Sequence, residues 1–430
     1  MKVITFSRTG ARPEPVVEVA EGVAGELPPQ AAAANSQPDN IATAQLERRI
    51  LISGANEAPA LSPGSPRKKV IRPEPGASCL QSSSVVLPIH RPPQPSSNIP
   101  LDCTVLICTY NRAEMLGQTL DSLARCRSGF VRWDVLVVDN NSSDGTRDVV
   151  VSRIPDFPVS LRYMFEPRQG KSIALNTGLA ATDAAIVAFT DDDVQVDENW
   201  IEASCGPMLA DPSIDYTGGP VLPIWERPCP RWLDQTRADL WGTLAILDYG
   251  QDSFVFEERR RVPLGANMAV RRSLIDRIGG FDPSLGRKGN ALLGQEQAEF
   301  FCRSRAAGAR GVYVPAASVR HHVPANRLTR DYFLRWWYWK GVSKALLEQR
   351  HPVTDTGVDL TRVPTVAGVP RFLFGSAVRD LFGLVRAAAT FNGIEIMKRL
   401  SMLCYFTGYL KGVRQAQTAA GSIPANSSVA

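Results

Sequence analysis

The stretch DAAIVAFTDDDVQVDENW, Asp183 to Trp200, joins an apolar run to three consecutive carboxylates. Residues 184–189 form a short apolar run, a pattern that is typical of a strand buried on both faces. If the strand continues, Asp191 and Asp193 point the same way, because side chains alternate along a strand. Neighbouring carboxylates repel each other, so this arrangement favours a divalent cation such as Mg²⁺ or Mn²⁺. The alternative is a solvated acidic turn before the helix that starts near Trp200.

Similar apolar runs alternate with helical patterns on the N-terminal side of this stretch. We predict strands over 104–108, 133–138 and 161–165, and helices over 114–126 and 171–181. Alternating strands and helices predict an α/β fold with a mostly parallel, doubly wound sheet. In such sheets ligands bind beyond the carboxyl ends of the strands, and here each of those ends carries polar residues.

Composition limits the classes of partner and compartment. The chain has 430 residues, a net charge of +5 and 44% hydrophobic residues, enough for a sizeable core. Lys and Arg form no dense run, so we expect no nucleic-acid partner. The eight cysteines form no CxxC pair and indicate reduced thiols in a cytoplasmic protein. No apolar run has the length of a signal peptide core or a membrane span.

The same patterns divide the chain into four regions. Residues 1–100 are rich in Ala, Pro, Ser and Gly without a sustained period, and we predict that they are mostly disordered. Residues 101–343 carry the α/β pattern and form the predicted catalytic domain. Residues 344–415 are predicted to be helical, and residues 416–430 to be a disordered tail.

Seven motifs along the α/β region resemble those of the family 2 glycosyltransferases, in the same order and spacing. They are CTYNR (108–112), DNNSSDGT (139–146), GKSIALNTGL (170–179), TDDD (190–193), GANMAVRR (265–272), GQEQAEF (294–300) and HHVPANRLT (321–329). Each motif is weak alone, but the ordered set covers roughly residues 101–343. The resemblance implies a GT-A fold, an inverting mechanism and a DXD metal motif.

The resemblance also implies roles for individual positions. The donor-binding positions it implies are Thr109, Tyr110, Arg112, Asp139, Gly170, Lys171, Asn176, Asp191 and Asp192. The metal positions are Asp193 and Asp191, with His321 as a further metal or diphosphate contact. Ordinary structural roles remain open for four of these residues: Asp139 as a turn cap, Asn176 on a helix flank, Lys171 at a solvated helix start and His321 at a strand end.

The chain departs from the family pattern at the expected catalytic base. Family members commonly carry two acids where this chain has Glu296 and Gln297, and the second acid usually serves as the base. An amide cannot accept the proton in that way. We predict that Glu296 is the base, with Glu299 as the alternative, while a favourable acid at a helix N-terminus is the structural alternative for Glu296.

The sequence therefore predicts a metal-dependent inverting transferase that uses a nucleotide-diphosphate sugar and a carbohydrate or lipid-linked acceptor. A catalytically weakened nucleotide-sugar-binding protein is the alternative, motivated by Gln297. A nucleotidyltransferase is disfavoured because CTYNRAEM is not a Gly- and Arg-rich signature loop, and a dehydrogenase because no GxGxxG follows the first strand.

Aromatic and basic residues are interleaved near the C-terminus, over 327–344, 370–386 and 394–414. Basic amphipathic helices of this kind can lie on a membrane surface. They can equally pack on the catalytic domain, and the pattern does not separate the two. If they do bind a membrane, we expect the protein at the inner face of the cell membrane.

Overall fold

A computed structural model describes residues 100–233, 238–257, 261–287 and 292–421. All of these residues belong to one compact unit, Gln81–Ala430. The predicted disorder of residues 1–99 and 422–430 lies outside the described residues.

An eight-stranded sheet forms the centre of the unit, with strand order β3-β2-β1-β4-β9-β6-β10-β8, and a three-stranded sheet has the order β5-β11-β7. The strands are β1 (Cys103–Thr109), β2 (Trp133–Asp139), β3 (Leu161–Phe165), β4 (Ile186–Asp191), β5 (Val194–Val196), β6 (Tyr216–Gly218), β7 (Val221–Trp225), β8 (Phe254–Val255), β9 (Asn267–Arg271), β10 (Gly311–Tyr313) and β11 (Val319–Val323), followed by the short pair β12 (Thr365–Val366) and β13 (Val369–Pro370). Strands β3, β2, β1 and β4 are parallel, whereas β9 is antiparallel to β4 and β6. The predicted α/β fold with a mainly parallel sheet is confirmed.

Ten helices accompany these strands in the described part of the chain. They are α1 (Ala113–Leu123), α2 (Thr146–Arg153), α3 (Lys171–Ala180), α4 (Trp200–Ala210), α5 (Ala238–Trp241), α6 (Arg272–Ile278), α7 (Glu296–Ala306), α8 (Arg330–Arg350), α9 (Arg371–Ala389) and α10 (Gly393–Gly421).

Both faces of the large sheet are buried, as continuous apolar strands require. In β1, Val105 and Ile107 belong to one core cluster, with Leu120 of α1 and Trp200 of α4. Leu106 lies between them in sequence but belongs to a second cluster, which contains Leu175 of α3. Alternate side chains of one strand therefore fill two hydrophobic layers, which is the arrangement of a doubly wound sheet.

The acidic turn differs from the simplest expectation at one point. Strand β4 ends at Asp191, and Asp192 and Asp193 form a turn before β5. Alternation along a strand therefore does not set the relative direction of Asp191 and Asp193. The turn and its partners set it instead.

The C-terminal helices begin earlier and end later than the predicted regions. Helix α8 runs through the predicted boundary at 343/344, and α10 continues past residue 416 to Gly421. The predicted division into regions stays a prediction. None of the helices in the described residues is both long enough and apolar enough to cross a membrane.

Helices α8 and α10 pack closely because glycines lie where they cross. A Cβ atom added to Gly408 would lie 1.9 Å from the carbonyl oxygen of Tyr338, and one added to Gly341 would lie 2.0 Å from that of Tyr405. Neither position has room for a side chain. This contact holds α8 in place, and α8 forms part of the cavity described below.

The substitution Gly408→Ala is expected to force α8 and α10 apart. We predict a loss of about 2–3 kcal/mol in the free energy of unfolding, typical of overpacking in a tight contact. Chemical denaturation measures it. The control is Gly375→Ala in α9, where an added Cβ meets nothing within 4 Å. That change should be neutral or stabilise by about 0.5–1 kcal/mol, the helix propensity difference. Equal effects of the two substitutions would contradict the packing argument.

Candidate active site

A cavity of about 500 Å³ lies beyond the carboxyl ends of β1 and β4. It receives ten of the residues predicted for the site: Thr109, Tyr110, Arg112, Gly170, Lys171, Asp191, Asp192, Asp193, Glu296 and His321. These residues come from five separate stretches of the chain. The cavity is where a doubly wound sheet places its ligands.

The acidic turn at the base of the cavity is surrounded by cationic side chains. Lys171 Nζ lies 2.6 Å from Asp191 Oδ1, and Arg112 Nη1 lies 2.9 Å from Asp192 Oδ1 and also contacts Asp193. Asp193 has two further partners, His321 Nε2 at 3.4 Å and Arg327 Nη2 at 3.7 Å. Buried carboxylates are tolerated only when they are paired in this way.

These partners separate the protonation behaviour of the three acids. Burial would raise the pKa of Asp193, but the hydrogen bond and charge of His321, together with Arg112 and Arg327, hold it far below its usual range. Burial is also outweighed at Asp191, where Lys171 lowers the pKa. At Asp192 burial prevails over Arg112 and raises the pKa to about 6. Asp191 and Asp193 are therefore the two carboxylates that stay ionised most readily.

Asp193 and His321 could together hold a divalent cation. His321 is buried, and its Nδ1 atom has no hydrogen-bond partner among the described residues. In the described part of the chain no three His, Cys, Asp or Glu side chains form a complete metal cluster. The donor set thus fits an ion that takes its remaining ligands from substrate phosphates and water, as Mg²⁺ commonly does.

The loop before α3 is shaped by Asn140, which follows β2. The Asn140 amide donates to the carbonyl oxygens of Glu166 (3.2 Å) and Arg168 (2.7 Å) and accepts from the Gly170 N–H (2.8 Å). Gly170 has a φ of +146°, which favours glycine. These bonds bring Gln169, Gly170 and Lys171 to the rim of the cavity.

Glu296 and Gln297 at the start of α7 have different roles. The side chain of Gln297 accepts from the Gly265 N–H at 2.7 Å and donates to the Pro263 carbonyl oxygen, so it holds the loop before β9. Glu296 faces the cavity, and its Oε2 atom is buried without a partner among the described residues. Burial raises the pKa of Glu296 against the opposing charge of Lys171. A carboxylate in this state is suited to accept a proton.

Two predicted donor-binding residues do not line the cavity. Asp139 is buried and accepts hydrogen bonds from the Ser142 N–H (2.9 Å) and the Tyr163 hydroxyl (2.8 Å), so the turn-cap alternative describes it. Asn176 exchanges two hydrogen bonds with the backbone of Phe281, at 2.7 and 2.8 Å. Structural partners hold both side chains, and their predicted donor contacts stay predictions.

Glu299, the alternative base, is also engaged elsewhere. Arg303 contacts its carboxylate at 2.7 Å, and His351 Nε2 lies 3.1 Å from it. Glu299 does not line the cavity. Glu296 is therefore the acid of α7 that faces the cavity.

Several lining residues were missed from the sequence. They are Asn140, Gln169, Arg287, Arg327, Trp336, Lys340 and Ser343. Asn140, Arg327 and Gln169 lie within or next to the recognised motifs, so their position was a usable signal. Trp336, Lys340 and Ser343 belong to α8, whose pattern did not show whether it packs on the catalytic domain. The structure shows that it does.

The model of the family described as glycosyl transferase family 2 matches residues 104–279. Glucosyl-dolichyl phosphate glucuronosyltransferase of Haloferax volcanii is 25% identical over 316 residues, which cover 68% of this chain and 98% of that protein. Succinoglycan biosynthesis protein ExoM of Rhizobium meliloti is 28% identical over 258 residues, covering 59% and 78%. Residues 104–279 are a family 2 glycosyltransferase domain.

The recognised resemblance and the GT-A fold it implied are thus confirmed for this glycosyltransferase. Among solved structures, a mannosyltransferase from Pyrobaculum calidifontis in complex with GDP-Man and Mn²⁺ has 18% identity and a TM-score of 0.42, covering 76% of this chain and 78% of that one. Glu296 and His321 lie beyond residue 279, where the family match ends. Their roles in this glycosyltransferase are argued from geometry alone.

The buried carboxylate of Glu296 should cost stability in the free enzyme. Because its pKa is raised in the folded state, the folded state binds the proton more tightly. The loss of stability caused by the ionised carboxylate is absent below the pKa that Glu296 has in the unfolded chain. It develops as pH rises through the pKa that Glu296 has in the folded protein. We predict that Glu296→Gln raises Tm by a few degrees at pH 7.5 and has little effect near pH 4.

Melting curves at both pH values measure this effect. The control is Glu114→Gln, an exposed acid in the first turn of α1 that does not line the cavity. A lower Tm for Glu296→Gln at pH 7.5 would show that the carboxylate is stabilising and that the geometric argument is wrong.

Proposed function

We propose that this glycosyltransferase moves a sugar from a nucleotide-diphosphate donor to a hydroxyl group of a carbohydrate or lipid-linked acceptor, with Mg²⁺ or Mn²⁺ and with inversion. The observation that carries this proposal is the buried Glu296 Oε2 atom, which has no hydrogen-bond partner among the described residues and lies in the same cavity as the acidic turn. A candidate base thus faces a candidate diphosphate site. Relatives named for a dolichyl phosphate-linked substrate and for succinoglycan support an acceptor of the lipid-linked or polysaccharide kind.

The side chains around the cavity divide the work of one direct displacement. Lys171, Arg112 and Arg327 bind and orient the diphosphate by charge. Asp193 and His321 would hold the divalent ion, which supplies Lewis-acid stabilisation of the leaving diphosphate when bound. Glu296 takes the proton of the acceptor hydroxyl as its oxygen attacks the anomeric carbon from the opposite side. The bond to the nucleoside diphosphate breaks, and the configuration inverts.

A catalytically weakened sugar-binding protein was the alternative, and it is not favoured. That alternative was motivated by Gln297, and Gln297 holds a loop through two backbone contacts. Glu296 remains available as a base beside it. The relatives reported above include a named glucuronosyltransferase.

The metal role is tested with Asp193→Asn and the exposed matched control Asp183→Asn. Calorimetric titration with UDP and with GDP, in Mn²⁺ and in EDTA, measures how far nucleotide binding depends on the metal. We predict that Mn²⁺ tightens binding at least about tenfold in the wild type and in Asp183→Asn, and has little effect in Asp193→Asn. Equal Mn²⁺ dependence in both variants would remove Asp193 from the metal site.

The catalytic base is then tested by measuring transfer from sugar donors that carry the nucleotide bound in this titration. Glu296→Gln should retain nucleotide binding and lose roughly 10²–10⁴ in transfer rate, the usual contribution of a general base. Glu114→Gln should retain full activity. Transfer by Glu296→Gln at the wild-type rate would assign the base to another group.

Membrane association is the part of the proposal that concerns α9. Val378, Leu381, Phe382 and Val385 of this helix are exposed, Phe382 to 72%. Exposed arginines at 379 and 386 lie beside them, and the single acid of the helix, Asp380, is paired with Arg399 at 2.7 Å. An apolar surface edged by unneutralised arginines fits an anionic bilayer surface, at the inner face of the cell membrane.

The double substitution Phe382→Ser and Val385→Ser should weaken binding to vesicles of phosphatidylglycerol and phosphatidylcholine at least about tenfold, because two large side chains are no longer buried in the bilayer surface. Cosedimentation measures it. The control is Phe130→Ser, another exposed phenylalanine at 63%. If the double variant instead changes the oligomeric state and leaves vesicle binding intact, the α9 surface is an interface between copies and the membrane proposal fails.

A further inference from the structure

A second cavity, of about 400 Å³, adjoins the first and is rich in arginine. It is lined by Arg112, Arg287, Leu292, Pro324, Asn326, Arg327, Thr329, Asp331, Tyr332 and Arg335. We call it the arginine cavity. Arg112, Arg287, Leu292 and Arg327 also line the larger cavity, so the two spaces meet along these residues.

The charges of the arginine cavity are poorly balanced. Four arginines face one carboxylate, that of Asp331. Arg112 and Arg327 are engaged with the acidic turn. Arg287 and Arg335 have no carboxylate within ion-pair distance among the residues that the structure describes. Gathering like charges around one hollow is unfavourable unless an anion enters it.

Arg335 is the member of this cluster that belongs to the arginine cavity alone. It lies one turn from Tyr332 on α8, with its guanidinium carbon 6.0 Å from the centre of the Tyr332 ring. This contact favours a defined direction for the guanidinium group. The helix itself is held by its glycine contact with α10.

We infer that the arginine cavity binds an anionic group of the acceptor, through the phosphate or carboxylate oxygens that guanidinium groups recognise. This inference rests on the proposed function. The larger cavity contains the acidic turn and Glu296, which the donor diphosphate and the reacting hydroxyl require. Arg335 lies outside that cavity, so a charge bound there belongs to the other substrate. Arginine forks match phosphate and carboxylate oxygens in pairs, which gives orientation as well as affinity.

The test measures binding of matched anionic and neutral probes to the full chain. Geranyl phosphate is compared with geraniol, and glucuronate with glucose, at low ionic strength, with and without Mn²⁺ and nucleotide. The first pair represents a lipid phosphate and the second an acidic sugar. We expect one anionic probe to bind at least about tenfold more tightly than its neutral counterpart.

Arg335→Gln is expected to weaken that anionic probe roughly fivefold to tenfold and to leave the neutral one unchanged. Arg330→Gln is the matched control, an exposed arginine in the first turn of the same helix that lines neither cavity. Anionic and neutral probes that bind alike, no anionic binding at millimolar concentration, or equal effects of the two variants would each overturn the inference.

Nucleotide titration in the same preparations separates the two proposals. If the wild type shows no Mn²⁺-dependent nucleotide binding, the proposed function fails. The anion measurements without nucleotide would still report on Arg335. Normal nucleotide binding with no charge preference at Arg335 would defeat only the acceptor inference.

Discussion

The structure depends on the neutralisation of one buried acidic turn. Asp192 and Asp193 are buried and Asp191 is half-buried beside them, which requires cationic partners, and those partners come from distant parts of the chain. Lys171 comes from the start of α3, Arg112 from the loop after β1, and Arg327 from the segment after β11. The ends of the strands must therefore converge for the turn to be stable. The same ion pairs therefore stabilise the fold and assemble the cavity.

The start of α7 shows how a change at one position leaves the chemistry possible. An amide at 297 cannot accept a proton, but it can donate and accept at once. Gln297 uses both capacities on the backbone at Pro263 and Gly265. Glu296 is left as the carboxylate that faces the cavity, without a bond to its buried oxygen among the described residues. Burial raises the pKa of Glu296 against the charge of Lys171. The burial that suits Glu296 to accept a proton also lowers the stability of the folded protein.

The sequence predicted the parallel strands and most of the cavity, since both follow from short-range patterns. Strand β3 occurs at its predicted residues, and ten predicted side chains meet at the cavity. The hydrogen bonds of Asp139 to Tyr163 and of Asn176 to Phe281 were not predicted, because these partners are distant in sequence. The contribution of α8 was invisible for a related reason. Its aromatic and basic residues fit a membrane surface and a protein surface equally well, and contacts distant in sequence, with α10 and with Leu244 and Val323, decide where the helix lies.

In the proposed function, the charge balance of the larger cavity links the metal to the donor. Five Lys and Arg side chains line it against four Asp and Glu. A divalent ion entering alone meets an acidic turn that Arg112 and Lys171 already neutralise, and a diphosphate entering alone meets Asp191 and Asp193. The charges of the ion and the diphosphate nearly cancel when both are bound. The ion then neutralises the carboxylates, and the diphosphate neutralises the cationic side chains that had paired with them. Arg112 and Arg327 can then turn from carboxylate to phosphate without leaving either group unpaired. The pairing of acids with arginines in the free enzyme thus favours binding of metal and donor as a unit.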